Sequence, residues 1–318
     1  MIPEKSLLAT IESGLDTLPY PDAPRSLYEP VAYTLGGGGK RLRPLLTLMT
    51  AQAFGADPAT ALHQALAMEM YHNFTLIHDD VMDRSATRHG RPSVFARNGS
   101  VQAILSGDAL LSMAVSELAE GAGDRLSAAL GLFGRVAQGV YQGQQYDMEF
   151  EERGDVTLDE YMRMIELKTS VLLGGACAMG ALMAGAPAEA QEAMYTYGVN
   201  IGLAFQLRDD WLDTYGAPAV FGKPIGGDIA NGKKTWLHLS ACALDPAAMA
   251  TATSVADRGA RIAAVRAEYD RLGVGTACDE ACRRHSEDAI AALGRAAISD
   301  EYAEWYVGLA RRLACRDK

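Results

Sequence analysis

Residues 171–186 read VLLGGACAMGALMAGA, the longest uncharged apolar run in the chain. Its 16 residues fall short of the roughly 20 that a helix needs to span a bilayer. Gly and Ala fill it, and the period-two alternation of a strand is missing. The run therefore predicts a buried core helix whose small residues let neighbouring helices approach closely. Working outward, Thr157-Leu-Asp-Glu160 predicts a capping box opening the helix that leads into it. Asp57-Pro58 places an N-cap and a proline at N1 ahead of a long helix reaching about Asp83. Ser299, followed by Asp300 and Glu301, predicts a last helix with arginines near its end, as the helix dipole favours. The breaks are short: Tyr20-Pro21, Gly121 to Gly123, and Ala184 to Pro187. No linker, repeat or low-complexity segment divides the chain. The expectation is all-α, one domain over residues 1–318, with ten or more helices.

Composition excludes several classes. Of 318 residues, 49% are hydrophobic and 22% charged, so the chain is neither disordered nor fibrous. Lys and Arg number 29 against 40 Asp and Glu, a net charge of −11. A general nucleic-acid binder needs a basic surface, and an anionic membrane repels this one. The five cysteines (177, 242, 278, 282, 315) are odd in number and contain no CxxC pair. They predict reduced thiols in a reducing cytoplasm rather than a disulfide frame or zinc site. The start, MIPEKSLLATIESGL, lacks the charged-then-apolar pattern of a signal peptide. No transmembrane segment is expected.

Two acidic clusters carry the chemistry: Asp79-Asp80-Val81-Met82-Asp83 and Asp209-Asp210-Trp211-Leu212-Asp213. Both read DDxxD. On a helix, i and i+4 share a face, so Asp79 and Asp83 align, as do Asp209 and Asp213. Phe74, Leu76 and Ile77 precede the first cluster; Leu203, Ala204 and Phe205 precede the second. Carboxylates on apolar helices are expensive to bury without counter-charge. Hard divalent cations suit them, Mg²⁺ above all, which keeps few protein ligands and completes its octahedron with water and phosphate. One such motif can be a solvated acidic patch; two in apolar helices point to a phosphorylated ligand. Basic residues agree. Gly36 to Gly39 runs into Lys40, Arg41 and Arg43, exposing N–H groups beside cations, though no Walker A pattern is present. Arg88-His89-Gly90-Arg91 follows the first cluster, and Lys168-Thr169 a long helical stretch. Lys223 and Lys233 lie in the loop Ala217 to Lys234, long for a helical protein and expected to act as a mobile lid.

These motifs together resemble the trans-isoprenyl diphosphate synthases, or polyprenyl synthetases. The resemblance runs from about Gly36 to Lys234. GGKRLRP stands at 38–44, His72 lies seven residues before the first aspartate motif, and DDVMD with its basic pair covers 79–89. GQQYD is 143–147, Lys168-Thr169 is the KT pair, and FQLRDDWLD is 205–213. GK follows at 222–223 and GKK at 232–234.

The resemblance implies an all-α bundle around a central elongation cavity, usually a homodimer. It implies that Asp79, Asp83 and Asp209, with Asp80, Asp210 and Asp213 beside them, hold Mg²⁺, three ions with substrate bound, against an allylic diphosphate. Arg88, Lys168, Lys223 and Lys233 would clamp that diphosphate. Lys40, Arg43, His72 and His89 would bind isopentenyl diphosphate. Thr169, Gln206 and the Lys168 carbonyl would sit near an allylic carbocation. The family usually has Arg where His89 stands, which predicts weaker isopentenyl diphosphate binding above neutral pH, with an adjacent diphosphate raising the imidazole pKa.

Product length depends on residues below the first motif. Phe74 lies about 7.5 Å back along the helix and Tyr71 about 12 Å, on one face. Thr75 stands where the shortest-product animal enzymes resemble a doubled aromatic. The two-residue insertion of many bacterial farnesyl enzymes is absent from DDVMD. The expected product is C20, geranylgeranyl diphosphate, with C15, farnesyl diphosphate, as the alternative. A class I terpene cyclase would usually carry a different second motif and no isopentenyl site. A non-catalytic subunit of a heteromeric synthase should have lost acidic-motif residues. Neither fits as well.

Overall fold

The computed structural model describes residues 1–216 and 225–315. Among these residues there are sixteen α-helices and a single hairpin of two short strands. The all-α expectation holds. The chain forms two compact units, residues 1–135 with 175–195, and residues 136–174 with 196–318.

The first unit contains α1 (Glu4–Asp16), α2 (Arg25–Leu35), α3 (Leu42–Ala53), α4 (Leu62–Met82), α5 (Val94–Asn98) and α6 (Ser100–Ala119). It also holds the first part of α7 (Leu126–Glu152). Asp57 and Pro58 open α4 through one 3₁₀ turn, Pro58–Ala61, where Asp57 Oδ1 accepts the Ala59 N–H at 3.0 Å. Buried Leu66, Met68, Met70, Tyr71, Phe74 and Ile77 run along α4. A helix apolar on most sides belongs in the interior, and α4 packs against both α3 and α6. Its C-terminal end carries the first aspartate motif.

The 171–186 run forms α9 (Val171–Met183), which stops before Gly185. Its later residues belong to the first unit. There a Cβ on Gly180 would lie 2.1 Å from the Thr47 carbonyl oxygen, so α9 meets α3 at a distance only glycine permits. Thr47 Oγ1 donates to the Ala176 carbonyl at 3.0 Å across the same contact.

The second unit begins with the rest of α7 and with α8 (Leu158–Ile165). The capping box is complete: Thr157 Oγ1 accepts the Glu160 N–H at 3.2 Å, and Glu160 Oε2 accepts the Thr157 N–H at 2.8 Å. A π-turn, Glu166–Ser170, then widens the helix before α9. The later part of α10 (Ala188–Tyr215) carries the second aspartate motif. It is followed by α11 (Gly227–Ala230), α12 (Trp236–Leu244), α13 (Pro246–Thr253), α14 (Arg258–Leu272), α15 (Val274–Leu293) and α16 (Asp300–Ala314). Phe150, Tyr161, Leu207, Trp236, Tyr269 and Cys278 belong to its core. α16 starts after Ser299 as predicted, with Asp300 and Glu301 in its first turn and Arg311 and Arg312 in its last. Ser299, however, makes no side-chain cap bond.

All five cysteines are free thiols. Two helical stretches, Ser100–Ala119 and Leu158–Met183, are long and apolar enough to cross a membrane by length and composition. The apolar window of the second is 78% buried within the protein, as a core helix is, and that of the first 33%.

Candidate active site

In the first unit, α4 ends at Met82, so Asp79 and Asp80 stand in its last turn and Asp83 is its C-cap residue. Asp79 is half-buried, Asp80 buried and Asp83 exposed. A hairpin follows at once, pairing Thr87–Arg88 with Arg91–Pro92. Its two central residues, His89 (φ 51°) and Gly90 (φ 73°), both lie in the left-handed region. A two-residue hairpin turn demands that, and His tolerates it better than most residues. Tyr33 holds the hairpin in place. Its ring lies under the Arg91 guanidinium at 4.1 Å and the Arg97 guanidinium at 4.4 Å, and its hydroxyl donates to the Pro92 carbonyl at 2.9 Å.

The hairpin turns Arg88 back onto the aspartates. Its Nη2 lies 2.9 Å from Asp79 Oδ2 and 2.6 Å from Asp80 Oδ1, and Nε lies 3.0 Å from Asp80 Oδ1. Burial pushes the Asp80 carboxyl above its ordinary value, against the pull of Arg88. The residue expected to clamp a diphosphate thus bridges two residues expected to bind metal.

Arg43, His72, His89 and Arg88 come together electrostatically. Burial lowers the Arg43 pKa to about 10, with Glu69 opposing, and Arg43 Nε is buried with no hydrogen-bond partner among the described residues. His72 is held well below its ordinary value by burial and by the charges of Arg43, His89, Arg88 and Arg41. His89 is also lowered, by burial and by Arg88. Without ligand, its imidazole therefore moves opposite to the direction expected beside a diphosphate. Two guanidinium groups held close to two imidazoles, with an unsatisfied guanidinium N–H among them, suit an anionic ligand. Lys40 is exposed at the end of the glycine turn. Arg41 takes a different part. It is buried at a left-handed φ of 45°, with Nε 2.9 Å from Glu12 Oε1 and Nη1 2.9 Å from Glu69 Oε1. It ties α1 and α4 to the turn that presents Lys40 and Arg43.

Below the first motif, aromatic rings pack edge-on or tilted against one another in the first unit. Phe74 lies 4.6 Å from the His78 ring and 5.6 Å from Tyr71, and Tyr71 lies 5.1 Å from Phe133. Thr75 Oγ1 bonds back to the His72 carbonyl at 2.8 Å.

In the second unit the π-turn carries Lys168 and Thr169. A Cβ on Gly143 would lie 2.2 Å from the Lys168 backbone nitrogen, and one on Gly202 2.6 Å from Ser170 Cα. The turn is therefore clasped between α7 and α10 by two glycines. π-turns recur at functional sites because they rotate side chains out of the helical register. Lys168 Nζ sits 2.6 Å from Asp147 Oδ2, the aspartate of the GQQYD stretch. Thr169 Oγ1 donates to Gln206 Oε1 at 3.4 Å.

The second motif is more enclosed than the first. Asp209 is half-buried; Asp210 and Asp213 are buried. Asp213 Oδ2 accepts the Asp228 N–H at 3.0 Å, pinning the described part of the loop expected as a lid. Asp210 Oδ2 accepts from the Tyr161 hydroxyl and from the Trp236 N–H at 3.3 Å, and Oδ1 accepts from Gln206 Nε2 at 3.3 Å. Burial raises its pKa to about 7, with the Tyr161 bond opposing. Three protein donors thus occupy a carboxylate expected among the metal ligands. Lys223 lies outside the described residues, as do residues 217–224 of the loop. Lys233 is exposed, 4.0 Å from Asp228 Oδ1. Its neighbour Lys234 reaches inward to the Phe150 carbonyl and to that of Glu151 at 3.3 Å.

Sequence reasoning missed Tyr161, Lys234 and the structural part of Arg41. Asp147 stood in a quoted motif without a role. The donor set for a metal is carboxylate oxygen alone. Among the described residues no three His, Cys, Asp or Glu side chains close into a cage. A sparse set of hard donors fits Mg²⁺, which takes one or two carboxylates and fills its shell with water and phosphate.

Comparison with known proteins gives the family. The family model for polyprenyl synthetase matches residues 24–271. A (2E,6E)-farnesyl diphosphate synthase of Mycobacterium tuberculosis is 45% identical over 197 residues, 62% of this chain; the chain spans 55% of that relative's length. A geranylgeranyl diphosphate synthase of Methanosarcina mazei is 39% identical over 239 residues, 74% of each chain. Among solved structures, a geranylgeranyl pyrophosphate synthase superposes with a TM-score of 0.94 at 38% identity, covering 100% of both chains. The geranylgeranyl pyrophosphate synthetase of Pyrococcus horikoshii gives 0.91 at 30% identity, covering 98% of this chain and 97% of its own. By motif order, fold and similarity, the chain belongs to the polyprenyl synthetase family.

Proposed function

We propose that the protein is a magnesium-dependent short-chain trans-prenyltransferase, which joins isopentenyl diphosphate to an allylic diphosphate (dimethylallyl, geranyl or farnesyl). The observation that carries this reading is that a chain with two aspartate motifs also brings the basic residues Arg43, His72, His89 and Arg88 together within its first unit. A terpene cyclase has no use for that second anion site. Mg²⁺, three ions with substrate bound, would supply Lewis-acid neutralisation of the charge on the departing diphosphate. Asp79, Asp83 and Asp209, aided by Asp213, offer the ligand oxygens. Asp80 and Asp210 act beside them, Asp80 by holding Arg88 and Asp210 by orienting its neighbours.

Arg88, Lys168, Lys223 and Lys233 grip the allylic diphosphate. For this, Arg88 exchanges Asp79 and Asp80, and Lys168 exchanges Asp147, for phosphate oxygens. The allylic C–O bond breaks, and its electron pair leaves with diphosphate. Thr169, Gln206 and the Lys168 carbonyl turn oxygen lone pairs toward the remaining carbocation. Lys40, Arg43, His72 and His89 hold isopentenyl diphosphate while its C=C attacks that carbon. The proton then lost goes to the released diphosphate, and apolar walls keep water away.

Product length is proposed as C20, supported by the identity and coverage of the geranylgeranyl synthases. C15 remains the second reading, favoured by the mycobacterial similarity. Phe74, backed by Tyr71 with Thr75 beside it, would be the stop. Replacing Phe74 by Ala lengthens the product; an unchanged distribution rejects Phe74. A homodimer is part of the proposal. Val101, Ile104, Leu105 and Val115 are exposed along one side of α6, and Val101 is 75% exposed. A second copy would cover that apolar side. Free cysteines throughout agree with a cytoplasmic setting.

The direct test supplies purified protein with Mg²⁺, radiolabelled isopentenyl diphosphate and each of three allylic primers. Labelled C15 or C20 diphosphate is expected. Conversion of an allylic diphosphate to hydrocarbon without incorporation of label would point to a cyclase, and no turnover with any primer would sink the reading.

A further inference from the structure

We propose that Tyr161 is a positioning residue for the prenyl transfer, acting through the directed hydrogen-bond chain Tyr161, Asp210, Gln206, Thr169 inside the second unit. The inference rests on the prenyltransferase reading and adds a residue outside the recognised motifs. With Asp210 ionised, the carboxylate only accepts, and an amide has one accepting and one donating end, so the chain has a single direction. Asp210 Oδ2 faces the Tyr161 hydroxyl and the Trp236 N–H. Its Oδ1 is left for Gln206, whose amide must turn its NH₂ toward it, 3.3 Å away. That fixes Gln206 Oε1 toward Thr169, whose Oγ1 lies 3.4 Å away. The threonine hydroxyl commits its only proton to Gln206. Its lone pairs then remain for the substrate, the orientation an allylic carbocation requires. A hydroxyl with its proton outward would oppose the same charge.

Tyr161 makes this arrangement firm. Tyr161 and Asp210 are each 4% exposed, so the carboxylate has no water to replace a lost donor. α8 holds the tyrosine, and the capping box at Thr157 and Glu160 fixes the start of that helix. The other end of the chain, Thr169, lies in the π-turn clasped by Gly143 and Gly202. Rigid backbone at both ends leaves only Asp210 and Gln206 to rotate. Without the Tyr161 hydroxyl, Oδ2 keeps only the long Trp236 N–H bond, and the carboxylate and the amide are freer to turn. The two bonds nearest Thr169, at 3.3 and 3.4 Å, are long, as catalytic hydrogen bonds often are before substrate tightens them.

The test compares Tyr161→Phe, Thr169→Val and the double variant with the parent. Turnover, both KM values and the half-saturating Mg²⁺ concentration are measured. The expected result is a roughly tenfold fall in kcat for Tyr161→Phe, about one lost hydrogen bond, with KM and the Mg²⁺ requirement within about twofold. Adding Tyr161→Phe to Thr169→Val should cost nothing further, because the chain is already cut, and Thr169→Ser should keep most activity. Parental kcat in Tyr161→Phe, a loss repaired by excess Mg²⁺, or independent multiplying losses in the double variant would each overturn the proposal. Should Tyr161→Phe fail to fold, the same cycle between Gln206→Leu and Thr169→Val decides it, coupled losses supporting the chain and multiplying losses overturning it. A parent inactive with every primer overturns the prenyltransferase reading itself, and this role with it.

Discussion

Two copies of one five-residue pattern, DDVMD and DDWLD, live in opposite surroundings. The first closes α4, with Asp83 exposed, and is bound by a charge: Arg88 lies 2.9 Å from Asp79 and 2.6 Å from Asp80. The second buries two of its three aspartates and, among the described residues, accepts from the Tyr161 hydroxyl, the Gln206 amide and the N–H groups of Trp236 and Asp228. A guanidinium can leave a carboxylate for a phosphate, because both offer the same bidentate oxygens. Backbone N–H groups and a buried phenol have no such alternative. The first motif is therefore built to exchange partners when substrate arrives, while these donors to the second stay in place.

The largest effects come from removing a metal-facing oxygen. Asp79→Asn and Asp209→Asn should each lower kcat by roughly 10²–10³-fold, the scale of losing a main electrostatic contact to the transition state. Asp210→Asn keeps an acceptor for Tyr161 and should cost only about tenfold. Equal losses at Asp209 and Asp210 would erase the distinction drawn for the second motif.

Stability against pH gives a middle-sized contrast. Asp210 has its pKa raised to about 7 by burial. Its contribution is full below the ordinary carboxylate range and is lost as pH rises through about 7. His72 is lowered, so its contribution is present above the ordinary imidazole value and is lost as pH falls. Between pH 5 and 6.5 the two slopes oppose each other, each at most about 1.4 kcal/mol per pH unit. Urea unfolding of metal-free protein should show Asp210→Asn steepening the rise of stability with pH, and His72→Gln flattening it. Parental slopes in both variants would contradict these assignments.

His89 gives the smallest effect. Its depressed pKa leaves it neutral at pH 8, so His89→Arg should lower the KM for isopentenyl diphosphate about two- to fivefold there, and by less as the pH falls. The gain is limited because residue 89 occupies a left-handed turn position that arginine adopts less readily. A KM flat with pH and unchanged in the variant would make His89 a bystander.

Helices were readable in the sequence because their signals are local. The Thr157–Glu160 capping box, the Asp57-Pro58 start and the glycine-rich 171–186 run each act within a few residues; the first stands as read, the second opens a 3₁₀ turn ahead of α4, and the third forms a helix that ends at Met183. The aspartates and cations were readable because their residue types are costly unless used. Pairings across long separations were not. Nothing near Tyr161 announces a partner 49 positions away, and i to i+4 spacing tells which side chains share a face but not what meets that face. Lys233 and Lys234 look alike in sequence, yet one is exposed and the other reaches inward to backbone carbonyls. Arg41 and Arg43 sit two residues apart, and the left-handed turn at Arg41 sends only one of them to Glu12 and Glu69.

Inorganic diphosphate binding followed by calorimetry, with and without Mg²⁺, tests the central claim most directly. Binding should require Mg²⁺ in the parent and disappear in Asp79→Asn and in Asp209→Asn alike. Metal-independent binding, or full binding after loss of either aspartate, would contradict the account.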